Sequence, residues 1–536
     1  MNKLNGEQFR LLLESGANAL YNHKSDVDAM NVFPVPDGDT GTNMSLTIQN
    51  GIEEVKKSGS NDLATITKVF SRGLLMGARG NSGVILSQIF RGLAKYVKDN
   101  QLVEISSDDL VEALMNGARL AYKAVMKPTE GTILTVLRES TEYGQIYLNE
   151  HPHADVIDVV EHLCKEAHDS LQRTPELLPV LKEAACVDSG GMGYTVILDG
   201  FLSFLNGQPI QKEDKIKTAK KEELLSGYRV EAILPIDTNG KAKYDEVHFR
   251  KQLAQFGSDI GIFEAEKEIA FSLRTIAPGE VISLAQRYGE FKKLQVEPLV
   301  EGLNASLITE FQNDHQAEKE IGMIAVAAGD GLHKLFKDYA VDYVITGGQT
   351  MNPSTEDFVK AIKHINAKNV IILPNNSNII LAAKQAASVF QDKEIYVVEA
   401  KTIIQGISAC LLFNQNDTLE NNLSTMEQAI NTVKSASVTY AIKDTTIDGK
   451  VISAGDYMGI QEKEIVSVSN NRLKTVKLLL DKMIDETSEI VTLIYGEDTN
   501  KDEVQKIEKY IKEKFNVEID IQEGNQPVYN YLIGVE

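Results

Sequence analysis

A loop after the first predicted helix carries the residues best suited to bind a metal ion. Asp37 and Asp39 flank a single glycine, and the run Thr40-Gly-Thr-Asn43 begins a helical pattern. Mg²⁺ takes hard oxygen ligands, usually one or two carboxylates together with phosphate oxygens and water. The free backbone amides at a helix start suit a phosphate, and Asn31 could add an amide oxygen. These residues predict a cation and phosphate site at the beginning of a helix.

The same loop also fits a purely structural role. An Asp-Gly-Asp-Thr-Gly run forms tight turns, and an aspartate before a helix commonly caps it. A calcium EF-hand is excluded, because its loop needs glycine at the sixth position and glutamate at the twelfth, where this chain has Thr42 and Ile48. The residues alone leave both the cation site and the structural turn open.

A second loop, Gly77-Ala-Arg-Gly-Asn-Ser-Gly83, places three glycines before an apolar helix. Successive backbone amides in such a loop attract anions, and Ser82 and Arg79 could add a hydroxyl group and a positive charge. The loop is not a Walker A motif, because no Gly-Lys-Ser/Thr follows. A β-phosphate site and a glycine turn that permits close helix packing are both open.

Two further polar loops also precede predicted helices. They are Lys127-Pro-Thr-Glu-Gly-Thr-Ile133 and Val187-Asp-Ser-Gly-Gly-Met-Gly193. Each of them alone is better explained as a turn. All four loops nevertheless recur between helices of one predicted bundle, so they could gather at one of its ends.

Hydrophobic periodicity predicts a multidomain chain. Residues 1–205 carry about eight stretches with apolar residues at helical spacing, which predicts an all-α helical bundle or barrel. The charged stretch 206–227 is interpreted as a linker. Residues 228–310 mix alternating and helical patterns and predict a small α+β domain. Residues 318–536 repeat strand, polar loop and helix, which predicts an α/β domain with a parallel sheet. The last predicted α/β unit of this domain consists of strand Ile490–Tyr495, a helix rich in Lys and Glu, and Tyr529–Val535.

Composition excludes several classes of function. The chain of 536 residues has 55 Lys and Arg against 77 Asp and Glu, a net charge of -22. Binding to nucleic acid or to an anionic membrane needs a positive field, so neither is expected. The three cysteines are too far apart in sequence to suggest a disulfide framework. No apolar stretch predicts a signal peptide or an integral membrane segment, so we expect a cytoplasmic protein.

The run Asn31-Val-Phe-Pro-Val-Pro-Asp-Gly-Asp-Thr-Gly-Thr-Asn-Met44 closely resembles a motif of the A-type subunit of bacterial fatty acid kinases, a branch of the dihydroxyacetone kinase family. Residues 1–205 are similar to the ADP-binding domain of that family, the DhaL type, a helical barrel that holds a Mg-nucleotide at one end. The resemblance covers essentially the whole chain. Further matching motifs are Gly77-Ala-Arg-Gly-Asn-Ser-Gly-Val-Ile-Leu-Ser-Gln88, Lys127-Pro-Thr-Glu-Gly-Thr-Ile-Leu134, Val187-Asp-Ser-Gly-Gly-Met-Gly193, Gly347-Gly-Gln-Thr-Met-Asn-Pro-Ser-Thr-Glu356, Leu373-Pro-Asn-Asn376 and Tyr529-Asn-Tyr-Leu-Ile-Gly-Val-Glu536.

The resemblance implies a kinase component that binds ATP or ADP and Mg²⁺. It would phosphorylate the carboxylate of a fatty acid held by a separate binding protein of the DegV family, giving an acyl phosphate for phospholipid synthesis. By motif position, Asp37 and Asp39 would be catalytic and hold Mg²⁺, with Asn31 as a further metal ligand. The residues implied in nucleotide binding are Thr40, Thr42, Asn43, Arg79, Gly80, Asn81, Ser82, Gly83, Gly131, Thr132, Asp188, Ser189 and Gly190.

The middle region departs from the pattern that the resemblance implies. Relatives often carry a cysteine and a His-x-His-Thr strand, a set suited to zinc. The corresponding positions here are Arg229, Ser272 and Arg274, with Thr275 retained. Arginine and serine do not form a zinc site, so we predict that no zinc is bound.

The resemblance assigns the C-terminal region to docking of the fatty-acid-binding partner, and a homodimer is expected. A structural or dimerising role for that region is also open. Two other activities stay open for the whole chain: a non-catalytic, nucleotide-dependent regulator of the same architecture, and a component of a dihydroxyacetone-type polyol kinase.

Overall fold

The structure is a computed structural model. It describes residues 1–32, 38–213, 227–235, 244–265, 268–298, 318–348, 351–441, 444–447, 450–462 and 464–536. Several subjects of the sequence predictions lie outside the described residues. They include residues 33–37 with Asp37, residues 214–226 of the expected linker, residues 299–310 of the expected middle domain and residues 349–350 of the motif around Asn352.

The N-terminal region consists of helices around one continuous hydrophobic core. Apolar residues at helical spacing, such as Phe9, Leu12 and Leu20 on the first helix, are buried there. Asn5 and Ser106 begin two of the helices with capping boxes. The helices are α1 (Gly6–Ala29), α2 (Thr40–Ser58), α3 (Leu63–Gly77), α4 (Gly80–Asp99), α5 (Ser107–Ala124), α6 (Ile133–Glu150), α7 (Val156–Leu177), α8 (Pro179–Glu183) and α9 (Ser189–Leu205), and β1 (Lys3–Asn5) pairs antiparallel with β2 (Glu104–Ser106).

Helix α9 begins at Ser189, before the expected start at Gly193. Glycines have low intrinsic helix propensity, which is why the sequence pattern placed the start too late. Packing explains the glycine at 193: a Cβ built there would lie 2.8 Å from Met44 Sδ on α2. At the other end of α9, Gly200 lets the helix approach α1, because its added Cβ would lie 2.6 Å from the Gly16 Cα.

The middle region is a small antiparallel sheet with helices, as predicted. Its elements are β3 (Tyr228–Pro235), α10 (Glu246–Leu253), β4 (Gly257–Ala265), β5 (Glu268–Thr275), α11 (Pro278–Ala285) and β6 (Lys293–Pro298), with strand order β4-β5-β3-β6. The register places Arg229 opposite Arg274 and Glu231 opposite Ser272. Arg229 Nη1 lies 3.8 Å from Oε1 of the buried Glu231. The positions that suggested zinc in relatives therefore carry an ion pair beside a serine, and the absence of zinc stays a prediction.

The C-terminal region begins with a four-stranded sheet of order β10-β9-β7-β8. The β9–β10 and β7–β8 pairs are parallel, as the repeating strand and helix pattern predicts. Its elements are β7 (Lys319–Ala327), α12 (Asp330–Asp338), β8 (Tyr343–Thr346), α13 (Thr355–His364), β9 (Ala367–Leu373), α14 (Ile380–Ala387), β10 (Glu394–Val397), α15 (Ile403–Leu411) and α16 (Leu419–Thr432).

A second, mixed sheet follows, of which the sequence pattern revealed only the last α/β unit. Its order is β15-β14-β11-β18-β16-β17, with the β16–β17 pair parallel and the β11–β14 and β11–β18 pairs antiparallel. Strand β11 was missed because its sequence, Lys-Ser-Ala-Ser-Val-Thr-Tyr, is mostly polar. The elements are β11 (Lys434–Tyr440), β12 (Thr445–Ile447), β13 (Lys450–Ile452), β14 (Tyr457–Gln461), β15 (Glu464–Ser469), α17 (Arg472–Met483), β16 (Ile490–Tyr495), α18 (Lys501–Lys514), β17 (Glu518–Glu523) and β18 (Tyr531–Val535).

The predicted fold class is confirmed: a helical N-terminal region, a small α+β middle region and an α/β C-terminal region. The helical region and most of the C-terminal region belong to one compact unit, and the middle region belongs to a second. Within the described part of the chain, no helix is long and apolar enough to cross a bilayer.

Candidate functional site

The four polar loops lie at the starts of α2, α4, α6 and α9, and neighbouring loops touch. A Cβ built on Gly80 would lie 2.7 Å from Asn43 Nδ2, so the starts of α2 and α4 meet. A Cβ on Gly190 would lie 3.2 Å from the Ile133 Cβ, so the starts of α6 and α9 meet as well. Met44 on α2 then contacts Gly193 on α9 and joins the two pairs.

Asp39 occupies the N-cap position of α2, but its side chain makes no capping hydrogen bond to that helix. Its backbone N–H donates to Asn31 Oδ1 at 3.0 Å, and its carbonyl oxygen accepts from the Asn43 N–H at 2.8 Å. Both Asp39 and Asn31 are buried, with 7% and 6% of their surface exposed. Asn31 therefore braces the loop, and the loop holds a buried carboxylate at a helix start.

Asp28, which the sequence analysis did not single out, supplies the missing cap of α2. It lies at the end of α1 and accepts hydrogen bonds from the Thr42 N–H at 2.9 Å and the Thr42 hydroxyl at 2.7 Å. Asp28 lies in the last turn of α1, where the helix dipole disfavours a negative charge. This unfavourable position was the signal in the sequence that Asp28 has a partner outside its own helix. Thr42, predicted to bind phosphate, has its hydroxyl engaged by Asp28.

The glycines of the second loop are required by close contacts. Gly80 has a φ of +60°, which favours glycine. A Cβ on Gly83 would lie 2.4 Å from Thr47 Oγ1, and that hydroxyl also accepts the Arg79 backbone N–H at 3.3 Å. The glycines therefore let the start of α4, which carries Ser82, pack closely against Asn43 and Thr47 in the first turns of α2.

The C-terminal region reaches this pair of loops. Asn352 Nδ2 donates to Asp39 Oδ2 at 2.5 Å, and the Asn352 carbonyl oxygen accepts from Arg79 Nη1 at 2.7 Å. Arg79 Nη1 also lies 3.8 Å from Asp357 Oδ2, and Asn81 Nδ2 donates to Asn378 Oδ1 at 3.4 Å. The role predicted for the motif around Asn352 was partner docking, so its contact with Asp39 was missed.

In the second pair of loops, at the starts of α6 and α9, Thr132 and Asp188 form hydrogen bonds with residues of the helical region itself. Asp188 caps α9, with Oδ2 accepting from the Gly191 N–H at 2.7 Å, and its backbone N–H donates to Thr174 Oγ1 at 3.1 Å. Burial raises the pKa of the Asp188 carboxyl to about 6, against the opposing effect of hydrogen bonds from the Gly191 and Ile133 amides. Next to it, the Thr132 hydroxyl donates to the Thr129 carbonyl oxygen at 2.8 Å.

The glycine before Thr132 and the serine after Asp188 are likewise packed. Gly131 has a φ of +80°, and a Cβ built on it would lie 2.9 Å from the Leu178 Cβ. Ser189 is 3% exposed. The starts of α6 and α9 are therefore closely packed against their neighbours.

An open cleft of about 380 Å³ adjoins the loops that lead into Asn31 and Asp188. The Cys186 thiol contacts the Met30 carbonyl oxygen at 3.9 Å across this region. Apolar and polar side chains share its wall. Its lining residues are Met30, Gln172, Pro175, Lys182, Ala185, Cys186 and Val187.

The donor chemistry around α2 and α4 fits a hard cation bound together with a phosphate. Asp39 offers a carboxylate, and Asn352 Oδ1 is a buried amide oxygen without a hydrogen-bond partner among the described residues. The described residues contain no cluster of three or more His, Cys, Asp or Glu that could hold a metal, and Asp37 lies outside them. A cation here would therefore depend on Asp39, amide oxygens and ligand oxygens.

Comparisons with known proteins agree along the chain. Three family profiles match: a DAK2 domain at residues 34–203, a fatty acid kinase FakA-like middle domain at 226–305, and a fatty acid kinase FakA-like C-terminal domain at 322–536. The chain is 43% identical to Protein YloV of Bacillus subtilis over 99% of both chains. It is 41% identical to an uncharacterized protein of Staphylococcus epidermidis over 100% of both.

Solved structures show weaker similarity. A fatty-acid-binding DegV family protein from Thermus thermophilus is 14% identical, with a TM-score of 0.31. The match covers 40% of this chain and 99% of the Thermus thermophilus chain. The dihydroxyacetone kinase of C. freundii is 17% identical, with a TM-score of 0.28, and covers 36% of this chain and 33% of its own. From the matches along its whole length, this chain belongs to the FakA-like family of fatty acid kinase components.

Proposed function

We propose that this chain is the ATP-binding, catalytic subunit of a fatty acid kinase. It transfers the γ-phosphoryl group of ATP to the carboxylate of a fatty acid, giving an acyl phosphate and ADP. The fatty acid is presented by a separate fatty-acid-binding protein of the DegV family. Family membership supports the activity, and the site at the starts of α2 and α4 supports the mechanism.

The observation that carries the proposal is the meeting of two helix starts beside a buried carboxylate. Asn43 at the start of α2 touches Gly80 at the start of α4, and Asp39 directly precedes α2. Each helix start presents backbone N–H groups that its own helix does not pair, although Asp28 already binds that of Thr42, and a positive dipole end, which together attract phosphate groups. A carboxylate at the same point attracts a cation. The combination suits a phosphate chain that is bound with its divalent ion.

Residues of this chain would divide the work of phosphoryl transfer. Asp39 would hold Mg²⁺ together with Asp37, and bound Mg²⁺ would neutralise charge on the transferring phosphoryl group. The backbone amides of Thr40 and Gly41 with the Asn43 side chain, and those of Gly80–Ser82 with the Ser82 hydroxyl, would bind phosphate oxygens. The reaction depends mainly on positioning and on neutralising charge, so a site built from amides, carboxylates and one guanidinium is sufficient.

The nucleoside would lie toward the second pair of loops. Gly131, Thr132 and the run Asp188–Gly190 form closely packed helix starts there, and the cleft beside Met30 and Cys186 opens near Asp188. The chain of contacts from Asn43 to Gly80 and from Met44 to Gly193 connects this area with the phosphate site.

The acceptor substrate needs no general base. A fatty carboxylate is already ionised at pH 7, because carboxylic acids have pKa values near 4. This agrees with the composition of the four loops, in which no histidine occurs.

We also propose that the C-terminal region docks the partner, on a face other than the loops around Asn352 and Asn378. Those loops contact Arg79 and Asn81 of the helical region and are therefore already covered within the chain.

The proposal is tested by acyl phosphate formation. The purified chain is incubated with ATP, Mg²⁺ and oleate, with or without a DegV-family fatty-acid-binding protein, and the product is trapped with hydroxylamine. We expect turnover only when the partner is present. Nucleotide binding without turnover would indicate a regulator instead, and turnover on dihydroxyacetone would indicate a polyol kinase.

A further inference from the structure

A loop of the C-terminal region is fixed on the starts of α2 and α4. We call it the Asn352 loop; its described residues are 347–348 and 351–354, between β8 and α13. At its end, the Thr355 N–H donates to the Ala78 carbonyl oxygen at 3.1 Å. Ser354 and Asp357 form a reciprocal capping pair, with the Ser354 hydroxyl donating to Asp357 Oδ2 at 2.8 Å. These contacts hold the backbone directly after Asn352, the residue through which the loop meets Asp39.

The side chain of Asn352 lies inside the candidate site. It is 2% exposed, and its Nδ2 donates to Asp39 Oδ2 at 2.5 Å. The same nitrogen would lie 3.6 Å from a Cβ built on Gly80, so the amide stands between the starts of α2 and α4. Arg79 holds the backbone carbonyl oxygen of Asn352 at 2.7 Å.

The other half of this amide has no partner. Asn352 Oδ1 is buried and accepts no hydrogen bond from any described residue. A buried polar oxygen is normally paired, and leaving one unpaired is costly. A side chain that served only to attach the two regions would be expected to have both of its polar atoms satisfied. An unpaired acceptor beside a carboxylate at two helix starts points instead to a ligand.

We propose that Asn352 is a positioning residue of the cation and phosphate site, an inference that rests on the proposed function. Its amide N–H orients the Asp39 carboxylate, and its unpaired amide oxygen would be available to a divalent cation bound with a nucleotide. The kinase site is then built from two parts of the chain, the helix starts near Asp39 and Gly80 and the Asn352 loop of the C-terminal region.

The first test compares Asn352→Ala and the milder Asn352→Ser with Gln385→Ala. Gln385 is a matched control, because it is also a buried amide that joins the same two regions: its Nε2 donates to the Leu75 carbonyl oxygen at 2.8 Å and its Oε1 accepts from Gln88 at 3.0 Å. Mn²⁺ binding is measured by electron paramagnetic resonance with ADP present. We expect the Asn352 variants to bind Mn²⁺ about tenfold or more weakly and Gln385→Ala to stay within about twofold of the unmodified chain.

The second test uses Asn352→Asp, which brings a carboxylate against Asp39. Without a cation the two like charges repel, whereas a divalent ion between them is favourable. We expect the melting temperature of Asn352→Asp to rise more with MgCl₂ than with KCl at the same ionic strength, and by more than in the unmodified chain. A variant that merely loosened the loop would respond equally to the two salts.

The outcomes separate this inference from the proposed function. Equal weakening in the Asn352 and Gln385 variants, or no weakening in either, would leave Asn352 a docking contact and overturn the inference alone. The same conclusion would follow if Asn352→Asp gained no Mg²⁺-specific stabilisation. If the unmodified chain bound no Mn²⁺ with ADP, both the inference and the proposed function would fall.

Discussion

Asp39 and Asp188 both precede a helix with glycine in its first turn, and both are buried, but their carboxylates have different partners. Asp188 caps its own helix through the Gly191 N–H. Asp39 makes no side-chain cap, because Asp28 binds the Thr42 N–H, and its carboxylate instead meets Asn352 from the C-terminal region. The Asp188 carboxylate therefore stabilises the start of its own helix, whereas the Asp39 carboxylate does not cap α2.

The difference suggests that, of the four loops, only those at the starts of α2 and α4 are arranged for phosphoryl transfer. There, polar groups of the loops face groups from another region of the chain, such as Asn352 and Asn378. In the α6 and α9 half, Thr132 and Asp188 use neighbours in the helical region. We therefore expect loss of function in the first half and loss or change of stability in the second.

The largest expected effect is on turnover. Asp39→Asn should reduce acyl phosphate formation by about 10²–10³-fold or more, because a neutral amide holds a divalent cation and its phosphate charge poorly. Asp188→Asn, which preserves a capping oxygen, should reduce it by less than about tenfold. Steady-state turnover with the fatty-acid-binding partner measures both, with circular dichroism as a check on folding. Equal losses of turnover in the two variants would contradict the proposed difference between Asp39 and Asp188.

A second effect concerns the pH dependence of stability. The Asp188 carboxyl has a pKa raised to about 6 in the folded chain, against 3.8 as its ordinary value. Between these pH values the folded state keeps the proton that the unfolded state has lost, so stability should fall as pH rises through this window. Asp188→Asn removes that fall. We expect its unfolding free energy relative to the unmodified chain to increase by roughly 2 kcal/mol from pH 4 to pH 7.

Denaturant unfolding at several pH values provides the measurement, with Asp62→Asn as the control. Asp62 is an exposed cap of α3, and the hydrogen bond from the Thr65 hydroxyl lowers the pKa of its carboxyl. Its contribution should be present at neutral pH and lost as pH falls, the opposite sign to Asp188. If Asp188→Asn followed the same trend as Asp62→Asn, the structural assignment of Asp188 would be wrong.

A smaller effect distinguishes the glycines of the two halves. Gly83→Ala should destabilise the chain by about 1–3 kcal/mol, since the new Cβ would overlap Thr47 Oγ1 at 2.4 Å. Gly190→Ala should cost less than about 1 kcal/mol, because its Cβ would meet the nearest atom, the Ile133 Cβ, at 3.2 Å. Thermal unfolding of the two variants is the measurement. A greater loss of stability in Gly190→Ala than in Gly83→Ala would contradict the prediction that α4 is packed more tightly at its start than α9.

Much of the architecture was predictable from the sequence because it follows from periodicity. The apolar stripe of α1 and the alternation of β3 directly gave element type, and strand β16 lies at Ile490–Tyr495 as expected. The second C-terminal sheet was largely missed, since a polar central strand such as Lys434–Tyr440 has no apolar pattern. Its place is fixed by pairing with β14 and β18, which are distant in sequence.

The candidate site was predictable in its loops but not in its contacts. Glycine and aspartate types identified the starts of α2, α4, α6 and α9. Spacing could not connect Asp28 with Thr42 or Asn352 with Asp39, because Asp28 acts from the end of the preceding helix and Asn352 from a loop more than three hundred residues away. The sequence predictions, Asp39 as a metal ligand and Asp188 as a nucleotide-binding residue, named no partner within the chain for either carboxylate, because capping depends on side-chain orientation.

The most direct test of the central claim is the affinity of the chain for Mn²⁺ in the presence of ADP, compared among the unmodified chain, Asp39→Asn and Asp188→Asn. The account predicts metal binding with the nucleotide in the unmodified chain and in Asp188→Asn, and a loss of about tenfold or more in Asp39→Asn. Unchanged Mn²⁺ affinity in a folded Asp39→Asn variant would contradict it.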